Sequence, residues 1–239
     1  MNPLNQFYVS KIKALSLFNL DLSITNAFIS FMISYLLIFI LCYVSTIKLQ
    51  LKASRIQMCG ELIYLIIYNM LNEISGRKSI KFVSFVCTLF LFILINNIIA
   101  IFPLFFSTTS HISVTLCLSI ISFMLVLATG FIKNGIGYFS ILLPKGTIIS
   151  LAPLMIFIEL FAFMIRPFSL AIRLAANISA GHIVLKILAS FILISKIFGI
   201  FPFILLTILT AFEIIVAMLQ AYIFVMLTSV YLGEALNLH

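Results

Sequence analysis

The sequence predicts an all-α integral membrane protein of about five membrane helices plus one interfacial amphipathic helix, the last two membrane helices being long and tilted. Three observations carry that prediction. Of 239 residues 64% are hydrophobic and only 8% charged, against roughly a quarter charged in an ordinary soluble domain. Several apolar runs reach the ~20 residues that span a bilayer. The hydrophilic breaks between them are too short to hold a separate soluble domain, so residues 1–239 read as one membrane domain.

The first run, 22–47, follows a lead of mixed polarity and is read as the first span. Strong apolarity begins only near Ala27, which fits neither a short secretory signal nor an Arg-rich transit peptide, and direct membrane insertion is expected. Residues 55–74 differ. Ile56, Leu62, Ile63, Ile66, Ile67, Met70 and Leu71 recur near helical spacing while Gln57, Glu61, Asn69, Asn72 and Glu73 interrupt them, as in an amphipathic helix lying in the membrane interface. Residues 82–102 and 112–132 are the second and third spans; Pro103 closes the former and Lys133 follows the latter. A loop marked by Asn134, Gly135, Gly137, Pro144 and Gly146 comes next, with a short apolar insert at 138–143.

Residues 148–188 then stay mostly apolar, about 60 Å if helical at ~1.5 Å per residue. This is roughly twice the hydrocarbon thickness. No charged or turn-rich break marks a hairpin, and Pro167 alone can be absorbed as a kink, so one strongly tilted helix is expected. A break at 195–199 separates it from a second long stretch, 202–232, and the two form a tilted hairpin.

The formal net charge of +8 does not indicate nucleic acid, because the cations sit in breaks between apolar runs. Such breaks set orientation. Lys48, Lys52, Arg55, Arg77, Lys78 and Lys81 occupy one connection and Lys133 and Lys145 another two spans later, placing both on the positive side. The uncharged turn at 103–110 belongs opposite. With five spans the N-terminus lies outside and the C-terminus on the positive side. Cys42, Cys59, Cys87 and Cys117 are scattered without metal-ligand spacing and read as packing residues. No cofactor or metal is called for.

The long segments carry Glu159, Arg166, Arg173, His182, Lys186 and Glu213. An ionisable residue at bilayer depth costs about 2.5–3.5 kcal/mol on insertion scales. Arg166 and Lys186 could snorkel; Arg173, apolar on both sides, has no such escape. Glu159, Arg166 and Arg173 follow at seven-residue steps and drift only about 20° per step, so they share a face with Ser169 and Asn177 nearby. His182, nine residues past Arg173, points about 180° away. Glu213 and Gln220 share a face of the partner helix, offering a carboxylate and an amide able to contact an arginine. Two polar access routes follow, one toward Glu159 and one toward His182 and Glu213, with Arg173 between. A guanidinium stays charged and cannot relay protons.

The run Arg-Pro-Phe-Ser-Leu-Ala-Ile-Arg-Leu-Ala-Ala-Asn-Ile-Ser-Ala-Gly-His at 166–182 resembles the signature of subunit a of the F-type ATP synthase, the proton-conducting stator of the Fo motor. Phe212-Glu213, the run from Leu219 to Phe224, and Tyr231-Leu232 resemble that subunit's last helix, with weaker matches at 110–115 and 151–154. The resemblance implies a non-catalytic subunit whose tilted hairpin faces a ring of c subunits, each carrying a membrane carboxylate. It implies that Arg173 meets that carboxylate between two offset half-channels and blocks a direct leak. Carried over, His182 and Glu213 serve the outer half-channel, with the two identities exchanged relative to the usual bacterial type. Glu159 lines the exit, and Asn177, Gln220 and Ser169 neighbour the arginine or the outer channel. Asn96 and Asn97 fall where the family places a channel asparagine, although an ordinary interhelical hydrogen bond is equally open to them.

Some bacterial relatives have an aspartate three residues before the proline, where this chain has Ala100. His111 belongs to the channel mouth or to an exposed loop, and His239 is read as exposed and without a role. Implied partners are the c-ring, the peripheral stalk, other Fo subunits and membrane lipids, with no nucleic acid. The proton is preferred to sodium as the transported ion because His182 suits proton transfer. Richness in Ile, Phe, Asn and Lys without Trp points to an A/T-rich genome; together with the resemblance to the mitochondrial branch of the family and its alphaproteobacterial relatives it implies a mitochondrial inner membrane, the bacterial inner membrane being the alternative.

Three rival readings fit less. A secondary transporter usually shows an internal repeat and paired broken helices, which are not visible. An intramembrane protease needs paired aspartates or a zinc motif, whereas Asp21 is the sole aspartate. A structural adaptor has no use for Glu159, Arg173 and Glu213 at depth.

Overall fold

The computed structural model describes residues 8–13, 16–17, 20–21, 23–47, 54–102, 105–142, 151–195 and 199–237. Lys48, Lys52, Pro103, Pro144, Lys145, Gly146 and His239, all weighed above, lie outside them. Among the described residues six α-helices make up the body: α1 (Asn26–Ile47), α2 (Arg55–Ser75), α3 (Val83–Ile101), α4 (Ile112–Asn134), α5 (Ala152–Ser195) and α6 (Ile200–Leu236). Five are long and apolar enough to cross a membrane, and α2 is not among them. The chain is an all-α integral membrane protein.

The first helix starts at Asn26 rather than at 22, for a local reason. Thr25 Oγ1 accepts from the Phe28 N–H at 3.3 Å, an N-cap that satisfies one of the orphan donors. The residues before it are extended, Lys11–Lys13 pairing antiparallel with Ile24–Thr25. Ser54 caps α2 in the same way, accepting from Gln57 N–H at 3.3 Å. Only the C-terminal half of the apolar face of α2 is covered by protein: Ile67, Met70 and Leu71 are buried, whereas Ile56, Leu62 and Ile66 are exposed.

The helix α5 has 44 residues and α6 has 37, about 66 and 56 Å at ~1.5 Å per residue. Pro167 lies inside α5 without ending it; the missing N–H removes one hydrogen bond and the helix continues. Among the described residues α5 is helical to Ser195, seven residues past the expected end, and residues 196–198 of the expected break lie outside those described. Pro202 sits in the first turn of α6, where its lack of an N–H costs nothing.

Helix α6 is the hub, touching α2, α3, α4 and α5, while α1 packs on α2 and α3. Lipid is as apolar as leucine, so close packing and hydrogen bonds must hold such helices together. The contacts are correspondingly tight. Ser75 at the end of α2 donates to the Ser229 carbonyl at 2.6 Å, and Asn237 Nδ2 returns a bond to the Ser75 carbonyl at 3.2 Å. Gly233 permits this approach: a Cβ there would stand 3.1 Å from the Ser75 Cα.

The two cationic connections meet at this end of the molecule. Lys133 Nζ donates to the Leu236 carbonyl, Asn134 Nδ2 to the Ala235 carbonyl at 2.9 Å, and Lys78 lies beside Lys133. A cation on the last carbonyls of α6 also matches the negative end of the helix dipole. The expected positive side is thus the C-terminal end of α6.

Replacing Gly233 by Val is expected to push the end of α2 off α6 and to destabilise the chain by about 1–3 kcal/mol, the usual cost of overpacking. A lowered thermal unfolding midpoint of the purified complex in detergent checks this. An unchanged midpoint means that the Ser75 contact contributes nothing.

Candidate functional site

Polar side chains gather in three places along α5 and α6. At the positive end Arg166 stands between two carboxylates, with Nη1 2.5 Å from Glu234 Oε2 and Nη2 3.7 Å from Glu159 Oε1. Its guanidinium also lies 4.7 Å from the Tyr231 ring centre and 5.3 Å from that of Phe163. Arg166 therefore does not simply snorkel: it is fixed by one close ion pair and two ring faces. Glu159 holds the longer contact, and its side chain keeps 31% of its surface exposed. Residues 138–142 of the expected apolar insert belong to a 3₁₀ turn, Gly135–Leu142, whose Tyr138 is buried beside Phe131 and Phe163, residue 143 lying outside the described residues. Burial pushes the Tyr138 phenol up, with Glu234 adding to the shift and Arg166 opposing it.

Toward the other end lies a buried polar cluster. Asn97 Nδ2 donates to the Ala217 carbonyl of α6 at 3.3 Å, and its Oδ1 finds no partner among the described residues. Asn96 Nδ2 bonds the Phe92 carbonyl, while its Oδ1 accepts from Thr108 Oγ1 at 2.9 Å. In the uncharged turn after α3, Ser107, Thr108, Thr109 and Ser110 are buried, at most 8% exposed. Ser179 of α5 donates to the Ser110 carbonyl at 3.2 Å. His111 is not an exposed loop histidine; it is half-buried at the start of α4 and stacks on Phe106 at 4.9 Å.

Glu213 and His182 complete this cluster, 7% and 3% exposed. The Glu213 carboxyl lies directly on the backbone of Gly181, where a Cβ would come within 2.5 Å of Oε1. Neither Glu213 oxygen has a hydrogen-bond partner among the described residues. A buried carboxyl in that condition is costly, and proton exchange is a use that fits it.

Between these ends Arg173 is exposed on the outer face of α5, with Ser169, Ala176, Asn177 and Ala180 along the same face. No described residue forms a hydrogen bond or ion pair with it. Gln220 does not reach it: Gln220 Oε1 instead accepts from Asn177 Nδ2 at 2.9 Å, tying α6 to α5 one turn away. His182 points inward, opposite Arg173, as the helical spacing predicts.

Glu234, Thr108 and Ser179 went unnoticed in the sequence. Glu234 stands 68 residues from Arg166, a separation that carries no periodic signal. The uncharged run Ser107-Thr-Thr-Ser110 was the one available hint, since a loop in water has no need to avoid charge entirely.

A family model described as the ATP synthase A chain matches residues 27–233, nearly all of the sequence. The chain therefore belongs to the ATP synthase A chain family, and is a non-catalytic, multi-pass membrane subunit of the proton-translocating Fo sector that supports ATP synthesis.

Proposed function

We propose that this chain provides two offset half-channels to and from the carboxylates of a c-ring, separated by Arg173, and so couples proton flow to ring rotation. The observation that carries the reading is the exposed and unpartnered guanidinium of Arg173 in the middle of a 44-residue apolar helix. A cation left so at bilayer depth is expensive, and a passing carboxylate removes the expense. Ser169, Ala176 and Ala180 on the same face are small and permit the close approach of a neighbouring helix.

The outer half-channel runs past Asn97, His182 and Glu213, with Asn177 and Gln220 at its inner limit. The exit runs past Glu159, whose partner Arg166 is held chiefly by Glu234. A ring carboxylate is protonated from the first route, carried through lipid in the neutral form, and deprotonated into the second. Beside Arg173 it is tolerated as an anion. Moving one charge across ~100 mV supplies about 2.3 kcal/mol, which biases the rotation. The transported ion is the proton, for which an imidazole at His182 is suited, and the composition supports a mitochondrial inner membrane over a bacterial one. The c-ring, the peripheral stalk, other Fo subunits and lipid are the partners.

Arg173→Ala is expected to abolish proton-driven ATP synthesis in membrane vesicles while the complex still assembles, as judged by native electrophoresis. Normal synthesis by that variant contradicts the role given to the arginine. Gly181→Ala tests the outer route separately: the added Cβ displaces the Glu213 carboxyl, and ATP-driven proton pumping should fall severalfold with Arg173 untouched. Pumping at the parental rate removes Glu213 from the path.

A further inference from the structure

The two polar clusters are separated inside the protein by a layer of five apolar side chains. Ile93 of α3, Leu170 and Leu174 of α5, and Ala221 and Phe224 of α6 pack on one another and are 0, 4, 0, 0 and 0% exposed. Along α5 the order is Asn177, then Leu174 and Leu170, then Arg166. Along α6 it is Gln220, then Ala221 and Phe224, then Tyr231 and Glu234. The same sequence of polar, apolar and polar therefore stands at matching positions on both helices, and Ile93 closes it from α3.

Buried hydroxyls elsewhere on α4 and α6 are turned to their own helices: Ser119 Oγ donates to the Leu116 carbonyl at 2.9 Å and Ser122 Oγ to the Ser119 carbonyl at 2.8 Å. Thr228 Oγ1 donates to the Phe224 carbonyl at 2.9 Å and Ser229 Oγ to the Val225 carbonyl at 2.8 Å, both within α6. On the outer side Asn177 Nδ2 donates to Gln220 Oε1 at 2.9 Å, and that amide pair marks the last polar contact before the layer. Arg173 contributes nothing here, since it points outward while its neighbour Leu174 points in.

We propose that these five residues form an insulating septum within the subunit, so that two separate devices prevent a short circuit: Arg173 at the face toward the ring, and the apolar layer between α3, α5 and α6. This rests on the half-channel reading above. A proton passing through the interior would need a continuous file of water or hydrogen-bonding groups, and a close-packed apolar layer supports neither. Phe224 is the largest of the five and fully buried, so it fills most of the gap.

The test uses vesicles carrying the assembled complex stripped of its catalytic head, with proton uptake driven by a potassium diffusion potential and read by a pH-sensitive dye. Each preparation is assayed before and after carbodiimide modification of the ring carboxylates, which stops conduction by way of the ring. Phe224→Ser is expected to raise conductance severalfold and to leave a leak that survives the carbodiimide. Phe224→Leu, which keeps the layer apolar, is expected to restore a membrane that carbodiimide seals. If Phe224→Ser does not assemble, Ile93→Thr places a hydroxyl in the same layer and should give the same resistant leak. Conductance that stays fully carbodiimide-sensitive in the assembled polar variants overturns the septum and leaves the half-channels standing. Unmodified complex that shows no carbodiimide-sensitive conductance overturns the half-channel reading itself.

Discussion

A cation inside a bilayer has to be given a counter-charge, a route to the surface, or a function, and the arrangement of α5 and α6 follows from how each cation meets that demand. Lys133 reaches the C-terminal carbonyls of α6. Arg166 has Glu234 at 2.5 Å and two aromatic faces. Arg173, two turns further along the same helix, has none of these. The contrast is informative because both arginines sit in nearly the same sequence surroundings. One is stabilised from within the chain; the other is left for something outside it. Under the function proposed for this chain, the outside group with the fitting charge is a carboxylate on a moving neighbour.

Because lipid offers no hydrophobic drive for helix association, the fold relies on small residues and on hydrogen bonds across helices. Gly233 lets Ser75 close on the end of α6, and Gly181 lets the Glu213 carboxyl lie on α5. Ala217 and Ala221 are fully covered where α6 meets its neighbours, and Asn97 donates to the Ala217 carbonyl across that same contact. Each such bond is worth only about 0.6 kcal/mol on average, so no single one holds the bundle. Together they fix the depth at which each polar group sits. That depth matters for function, since a carboxyl displaced by one turn would face a different environment.

The long-range architecture was readable because it depends on composition and period. Apolar run length gives the spans, and an apolar stretch twice the bilayer thickness gives the long hairpin. Helical spacing correctly set Arg173 and His182 on opposite faces. Boundaries were less legible: Asn26 begins α1 because Thr25 caps it and the preceding residues pair as strands, and hydropathy does not register a cap. Contacts between distant segments were least legible. Glu234 acquires its meaning only from Arg166, and Thr108 and Ser110 only from Asn96 and Ser179. Gln220 was expected near an arginine and instead bonds Asn177, a choice that helix azimuth alone cannot make.

The placement of the two clusters at opposite ends of one helix pair has a consequence for coupling. The exit cluster lies near the cationic connections, the C-terminal end of α6 and the covered Tyr138, while Glu213, His182 and Thr108 lie toward the other end. A subunit with a continuous polar file between them would conduct without doing work. Here the file is interrupted where Ile93, Leu174 and Phe224 meet, and beside the interruption α5 turns Arg173 outward. On the half-channel reading proposed above, an ion that enters from one end must leave the subunit to reach the other, and the surface on which it leaves is the one that carries the unpaired guanidinium. On that reading the interior barrier and the exposed cation are complementary: the first makes the detour obligatory, and the second sets the charge state in which the detour is completed.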